Sequence, residues 1–99
     1  MIVRTDLSPP QQSVQAAHAV LEASRNGILP VDLVHPHIII CGVADEMALA
    51  HQHSRIKSAG IKALPFFEPD RAGEMTALAT EPLFGDKRRH MRKLRLLGA

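Results

Sequence analysis

Five hydrogen-bonding side chains recur along one short stretch: Gln11, Gln15, His18, Glu22 and Arg25. At about 100° per residue they fall in one narrow stripe of a helix. Gln15 and His18 stand three positions apart, and His18 and Glu22 four, spacings at which helical side chains meet. A carboxylate beside an imidazole favours its charged form and fixes its orientation. Two readings fit this spacing. One is an ordinary solvated face. The other is a half-buried line of donors and acceptors at the mouth of a cleft, fit to hold a polar substrate.

The element that carries the stripe is well signalled. Ser8 is an N-cap, Pro9 falls at the first helical position, and Gln11 completes a capping box of the Ser-x-x-Gln kind. Asn26-Gly27 supplies a left-handed stop, so the helix is expected over residues 9–25. Val14, Ala16, Ala17, Val20, Leu21 and Ala23 are expected to form its buried arc.

Before this helix, the β-branched start of the chain reads as a strand from residue 1 or 2. After it, residues 28–37 carry two prolines and read as a connection. The continuous apolar run over residues 37–43 suits a central strand covered on both faces. A second helix follows over residues 44–60, with Asp45 and Glu46 at its N-terminal dipole and Gly60 at its end. Strands are expected over residues 61–67, where Pro65 implies an edge or a bulge, and over residues 75–80. The short loop between these two makes them a hairpin. The segment after residue 86 reads either as a helical turn or, near Leu94 and Leu96, as an edge strand. The expected architecture is an α/β layered domain spanning residues 1–99. It has a mixed four-stranded sheet, the order β-α-β-α-β-β and a basic C-terminal segment.

Composition narrows the function classes. Apolar residues make up 45% of the 99 residues, with no Trp, no Tyr and three Phe, so the core must be aliphatic. The single cysteine, Cys41, cannot form an intrachain disulfide and sits inside an apolar run, where it reads as a small buried hydrophobe. No stretch approaches the ~20 apolar residues of a membrane span, and no signal peptide is visible, which gives the expectation of a cytoplasmic protein without a membrane partner. Residues 1–86 carry a net charge of −4, whereas residues 87–99 carry +6 from Lys87, Arg88, Arg89, Arg92, Lys93 and Arg95. So dense a basic segment points to phosphate or an acidic surface, or else to a solvated tail.

The other histidines do not make a metal site. His51 and His53 are two apart on a helix and point away from each other. His35 and His37 flank Pro36 and bring no carboxylate or cysteine partner. No metal and no cofactor is expected.

The assembled residues resemble the type II peptidyl-tRNA hydrolase family. The family opens with a strand ending in Arg-x-Asp-Leu, matched by Arg4-Thr5-Asp6-Leu7. Its first helix carries Gln-x-x-His-Ala, matched by Gln15-Ala16-Ala17-His18-Ala19. An apolar strand running into an Asp-Glu helix start is matched by residues 38–43 with Asp45-Glu46. An Asp-Ala-Gly loop followed by a strand bearing a threonine has its counterpart in residues 68–79. The match runs over residues 2–97. Gln11 stands where the family has a helix lysine, and Gly42 where it often has a second one. Arg25 keeps a basic position seven residues after the histidine.

The resemblance implies hydrolysis of the ester between a peptide, or another acyl group, and the 3′ end of tRNA. It implies a catalytic set of His18, Glu68, Asp70 and Thr76, with Glu68 or Asp70 replacing the loop carboxylate. Gln11, Gln15 and Arg25 would bind substrate, and Lys87, Arg88, Arg89 and Arg92 would bind the tRNA backbone. The alternative is a non-catalytic RNA- or protein-binding module on the same fold. Both readings admit a homodimer.

Overall fold

The computed structural model describes residues 1–30, 32 and 37–99. The elements in chain order are β1 (Ile2–Arg4), α1 (Pro9–Arg25), β2 (Cys41–Val43), α2 (Glu46–Ser58), β3 (Ala63–Glu68), β4 (Glu74–Thr80) and β5 (Arg95–Leu96). Short 3-10 turns occupy Pro69–Arg71 and Gly85–Met91. The sheet order is β3-β4-β1-β2-β5. β1 pairs in parallel with β2, while β4 runs antiparallel to β1 and β3, and β5 antiparallel to β2. β1, β2 and β3 therefore point the same way. The sheet is mixed, as expected, but has five strands rather than four, because Arg95–Leu96 closes the β2 edge.

The two crossovers step along the sheet in opposite directions, from β1 to its neighbour β2 and from β2 back to the far edge at β3. Right-handed connections of this kind place their helices on opposite faces. Two cores result. α2 contributes Leu49 and Ile56, which pack with Ile2, Cys41 and Leu78. α1 contributes Ala16, Ala19 and Ala23, which pack with Val3, Ala77 and Ala79. Alanine facing alanine lets α1 lie close against β4, which suits a chain with few aromatic residues.

α1 begins and ends as its sequence dictates. Ser8 Oγ accepts from the Gln11 backbone N–H at 3.4 Å, and the Asn26 N–H closes onto the Glu22 carbonyl. Gly27 takes the left-handed conformation at φ 74°. The reciprocal bond of a capping box, to the Ser8 N–H, is not made among the described residues. Gln12 Nε2 reaches back instead to donate to the Leu7 carbonyl at 2.7 Å.

The buried arc of α1 differs from the apolar arc of its wheel. Gln15, Ala16, Ala19 and Ala23 face the sheet, whereas Val14 is 45% exposed and Leu21 53% exposed. Small residues made the approach possible, so the helix rolled toward its alanines and carried Gln15 inside with them.

The central apolar run is also shorter as a strand than expected. Only Cys41–Val43 pairs, residue for residue with Ile2–Arg4, while Ile38 and Ile39 are exposed. β1 offers three residues, and β2 cannot ladder beyond its partner. The expected connection over residues 28–37 and the His35–His37 pair fall partly or wholly outside the described residues.

Candidate functional site

Parallel strands that lead into helices on opposite faces leave a crevice beyond their carboxyl ends, where open α/β sheets hold ligands. Here that end gathers Arg4 from β1 and Asp6 just after it, Asp45 and Glu46 at the start of α2, Glu68 from β3, and Glu74 and Thr76 from β4.

A bulge shapes it. Phe66 faces Ala77 and Phe67 faces Met75, so Thr76 is an extra residue in β4. Met75 and Leu78 point to the α2 side, and Ala77 and Ala79 to the α1 side. Thr76, between them, also turns to the α1 side, where its hydroxyl donates to Gln15 Oε1 at 2.7 Å. Strict alternation would have sent it to the other face; the bulge re-aims it. Pro65, which implied an edge or a bulge, has both: β3 is an edge strand, and the irregularity follows one residue later.

Thr76 is fully buried and Gln15 is 1% exposed. Among the described residues, Gln15 Nε2 is buried without a hydrogen-bond partner. Turning the amide over would make Nε2 the donor to Thr76 and leave Oε1 unpaired instead. A buried polar atom left unpaired costs about 1–3 kcal/mol. Such atoms are rare in folded proteins, and one here marks the α1 side of the crevice.

The backbone of Met75, where the bulge begins, is held by charged side chains. Its N–H donates to Glu46 Oε2 at 2.6 Å, and its carbonyl accepts from Arg4 Nη1 at 3.1 Å. Arg4 is 5% exposed. Its Nε and Nη2 grip both Asp6 carboxylate oxygens at 2.9 and 2.8 Å, and Nη1 also donates to Glu74 at 2.7 Å. The hydrogen bonds from Arg4 hold the Asp6 and Glu74 carboxyls below the usual carboxylate range, with Arg71 adding to the effect on both. The bonds to Asp6 outweigh burial and hold the Arg4 guanidinium firmly charged. Arg4 had a sequence signal, a cation at the end of an apolar strand two residues before an acid. Glu46 had none beyond its place in a first helical turn.

The candidate residues separate clearly. His18 is half-buried and stacks flat on Phe66, with ring centroids 4.7 Å apart and planes 9° apart. The expected coupling of His18 to Gln15 and Glu22 is not made among the described residues. Gln15 turns to Thr76, and Glu22 meets Asn26 and lies 4.0 Å from Arg25. Glu68 is buried at the end of β3, opposite Glu74 in the ladder. Asp70 is exposed in the following 3-10 turn. Gln11 and Arg25 are exposed on the helix surface. Lys87, Arg88, Arg89 and Arg92 are exposed on an ordered segment. Met91 and Leu94 pack into the α2-side core, and Arg55 donates to the His90 carbonyl at 2.6 Å, so this basic segment is a strap and not a free tail.

Gly42 leaves no room for a side chain. A Cβ there would sit 2.6 Å from the Thr5 Cγ2 methyl and 3.4 Å from Leu97 Cδ1. Thr5 cannot swing away freely, because its hydroxyl bonds the Val43 carbonyl at 3.2 Å. Gly42→Ala is expected to lower the unfolding free energy by about 1–3 kcal/mol, the range for overpacking. Adding Thr5→Ser, which removes only the methyl, restores most of it. Urea denaturation of the single and double variants checks this, and an equally destabilised double variant would refute it.

No helix among the described residues is long and apolar enough to cross a membrane. Two adjoining surface depressions, of about 510 and 580 Å³, lie at the opposite end of the sheet from the crevice, around Ile28 and Lys62. Buried polar groups and charge mark the crevice; open volume marks the other end. No protein-family model matches the sequence, and no curated protein matches it at a significant level.

Proposed function

We propose that the chain hydrolyses the ester joining a peptide or other acyl group to tRNA, using the α1 side of the crevice. The observation that carries this reading is the Gln15–Thr76 hydrogen bond. It joins the helix and strand residues on which the resemblance to type II peptidyl-tRNA hydrolases rests, although they stand 61 positions apart.

Ester hydrolysis needs an oriented water, a base for its proton and donors for the oxyanion. Glu68, buried at the end of β3, takes the proton as water attacks the ester carbonyl. Asp70, exposed in the turn, is better placed to meet the substrate's approach than the reacting atoms. Gln15, buried with one end of its amide unpaired, and Thr76, which fixes its orientation, form a polar floor beneath the reacting atoms. Collapse of the tetrahedral intermediate returns that proton to the departing 3′ oxygen. Gln11 and Arg25 lie along the exposed rim of α1 and hold flanking carbonyl or phosphate oxygens. β5 runs antiparallel to β2, with Arg95 opposite Gly42. Arg92, just before it, therefore lies toward the same end as the crevice, and with Lys87, Arg88 and Arg89 farther back along the strap it meets tRNA phosphates.

Release of a blocked amino acid from N-acetyl-aminoacyl-tRNA tests the reading. Glu68→Gln should lower the rate by about 10²–10⁴-fold, the usual contribution of a positioned general base. His18→Ala, which removes a stacked ring, should cost less. Turnover unchanged by Glu68→Gln would overturn the assignment.

One observation favours a non-catalytic module instead. The space at Gly42 is filled by Thr5 and Leu97, and Gln11 makes no side-chain hydrogen bond among the described residues. Neither place supplies the cation that the related family carries there. tRNA binding without turnover, at any enzyme concentration, would establish this second reading.

A further inference from the structure

The 580 Å³ depression has an unusual wall. Phe84 stands 73% exposed beside it, although the chain has only three aromatic residues. Its neighbour Leu83 packs inward against the α2-side core, so the backbone here is anchored and Phe84 is presented outward. Pro82 and Ile28 add apolar surface, and Lys62 and Lys87 add cations. Lys87 begins the strap of six cations without an acid. The adjoining 510 Å³ depression, which shares Lys62, brings Lys57 and His53.

Two carboxylates, Glu81 and Asp86, also line the larger depression. They argue against a bare phosphate site. Glu81 is already engaged, accepting from the Lys62 backbone N–H at 2.6 Å. A carboxylate beside an aromatic face and lysines suits a nucleobase, because exocyclic amines of cytosine, adenine and guanine donate to carboxylates. Aromatic faces and a positive groove are the two features that hold single strands. Pockets of about 300–1,000 Å³ suit ligands of nucleotide size.

We infer that this depression is a single-stranded nucleic-acid subsite, with a base stacked on Phe84, its amine on Asp86, and phosphates on Lys62 and Lys87. The inference extends the RNA side of the proposed function and requires no ester hydrolysis. The site lies at the opposite end of the sheet from the crevice. One strand would therefore contact the protein at both ends of the sheet, linked along the basic strap.

The chain has no Trp and no Tyr, so Phe84→Trp creates a sole tryptophan whose emission reports stacking directly. Short oligocytidine or oligoadenosine should quench that emission, and oligouridine, which lacks an exocyclic amine, should bind more weakly. In the otherwise natural protein, Phe84→Ala should weaken oligocytidine binding about 10- to 100-fold, as expected for loss of one stacked base. Lys62→Ala and Lys87→Ala should each make binding less salt-dependent. Circular dichroism establishes that each variant keeps its fold. Three results would overturn the inference: no binding of any oligonucleotide by folded protein, binding indifferent to Phe84→Ala, or equal quenching by an acidic peptide, which would make this a protein-docking surface. Glu68→Gln separates the two proposals. It should leave oligonucleotide binding unchanged whether or not it abolishes turnover.

Discussion

Thr76→Val should destabilise the protein by about 1–3 kcal/mol, and adding Gln15→Leu should recover most of that loss. The single variant keeps the shape of the residue but removes the one hydrogen bond of the Gln15 amide. Both ends of that amide are then buried and unpaired, which costs the desolvation of a second polar atom. The double variant has nothing left to satisfy. Replacing both partners of a buried hydrogen bond by apolar groups of similar shape is close to neutral, and here it also removes the atom already unpaired in the natural protein. Gln15→Leu with Thr76→Val should therefore match or exceed the natural protein in urea denaturation. Under the proposed function it should also be inactive on acylated tRNA, because the polar floor of the site is gone. A protein that gives up stability to keep a polar pair in its core keeps it for function. If the double variant is as unstable as the single one, the pair is structural and is not kept for function.

That pair was half legible in the sequence. The stripe of Gln15 and His18 stood out, and so did a threonine in a later strand. Their contact did not, because it depends on two tertiary choices. The first is the roll of α1. A wheel weighted by Val14 and Leu21 points the apolar arc away from Gln15, but Ala16, Ala19 and Ala23 pack closer to β4 than larger side chains would. Small residues carry little hydropathy signal and decide the packing all the same. The second is the bulge at Thr76. Pro65 marked its neighbourhood, yet nothing marked which strand would take the extra residue. The cap of α1 was local and therefore readable in Ser8, which accepts from the backbone three residues on; Asp45, expected as a dipole partner inside a helix over residues 44–60, is instead the N-cap of α2. β5 was readable only as an alternative. Two residues hold too little pattern, and their pairing with Cys41–Gly42 is set by how the strap returns from the α2 core.

The crevice and the far depression divide the molecule's chemistry in a useful way. Buried polar groups, Glu68 among them, sit at the carboxyl ends of the strands, and open apolar surface with lysines sits at the other end. A ligand that touched only the far depression would be bound and not transformed. A ligand spanning both ends would place one point at the reactive groups and hold the rest by charge, as a long polyanion does.

Replacing Arg4 by Met should be the most destabilising polar substitution in the chain, at about 2–4 kcal/mol near neutral pH. The lower part of that range reflects partners that are themselves part-exposed: the Asp6 and Glu74 side chains are 40% and 37% accessible, so neither is left as a fully buried charge. The remainder comes from the Met75 carbonyl, which loses the buried donor that holds the bulge. Arg4→Lys should be intermediate, since an ammonium keeps the charge but cannot grip Asp6 with two parallel bonds and reach Glu74 and Met75 as well. The pH dependence identifies the cause. Asp6 and Glu74 titrate below their unfolded values because Arg4 stabilises their charged forms. Their contribution is present above the unfolded carboxylate range, near pH 4, and is lost as the pH falls through their lower folded values. Arg4 stays charged throughout that window. The gap between natural protein and Arg4→Met should therefore narrow on acidification from pH 7 to pH 3, as the carboxylates that Arg4 served become protonated. Once both are protonated, only the Met75 carbonyl and the packing of the guanidinium remain. Urea denaturation at the two pH values measures both gaps. A gap of the same size at pH 3 and pH 7 would mean that Arg4 supports the bulge by packing and its backbone bond alone, and that the ion pairs add nothing.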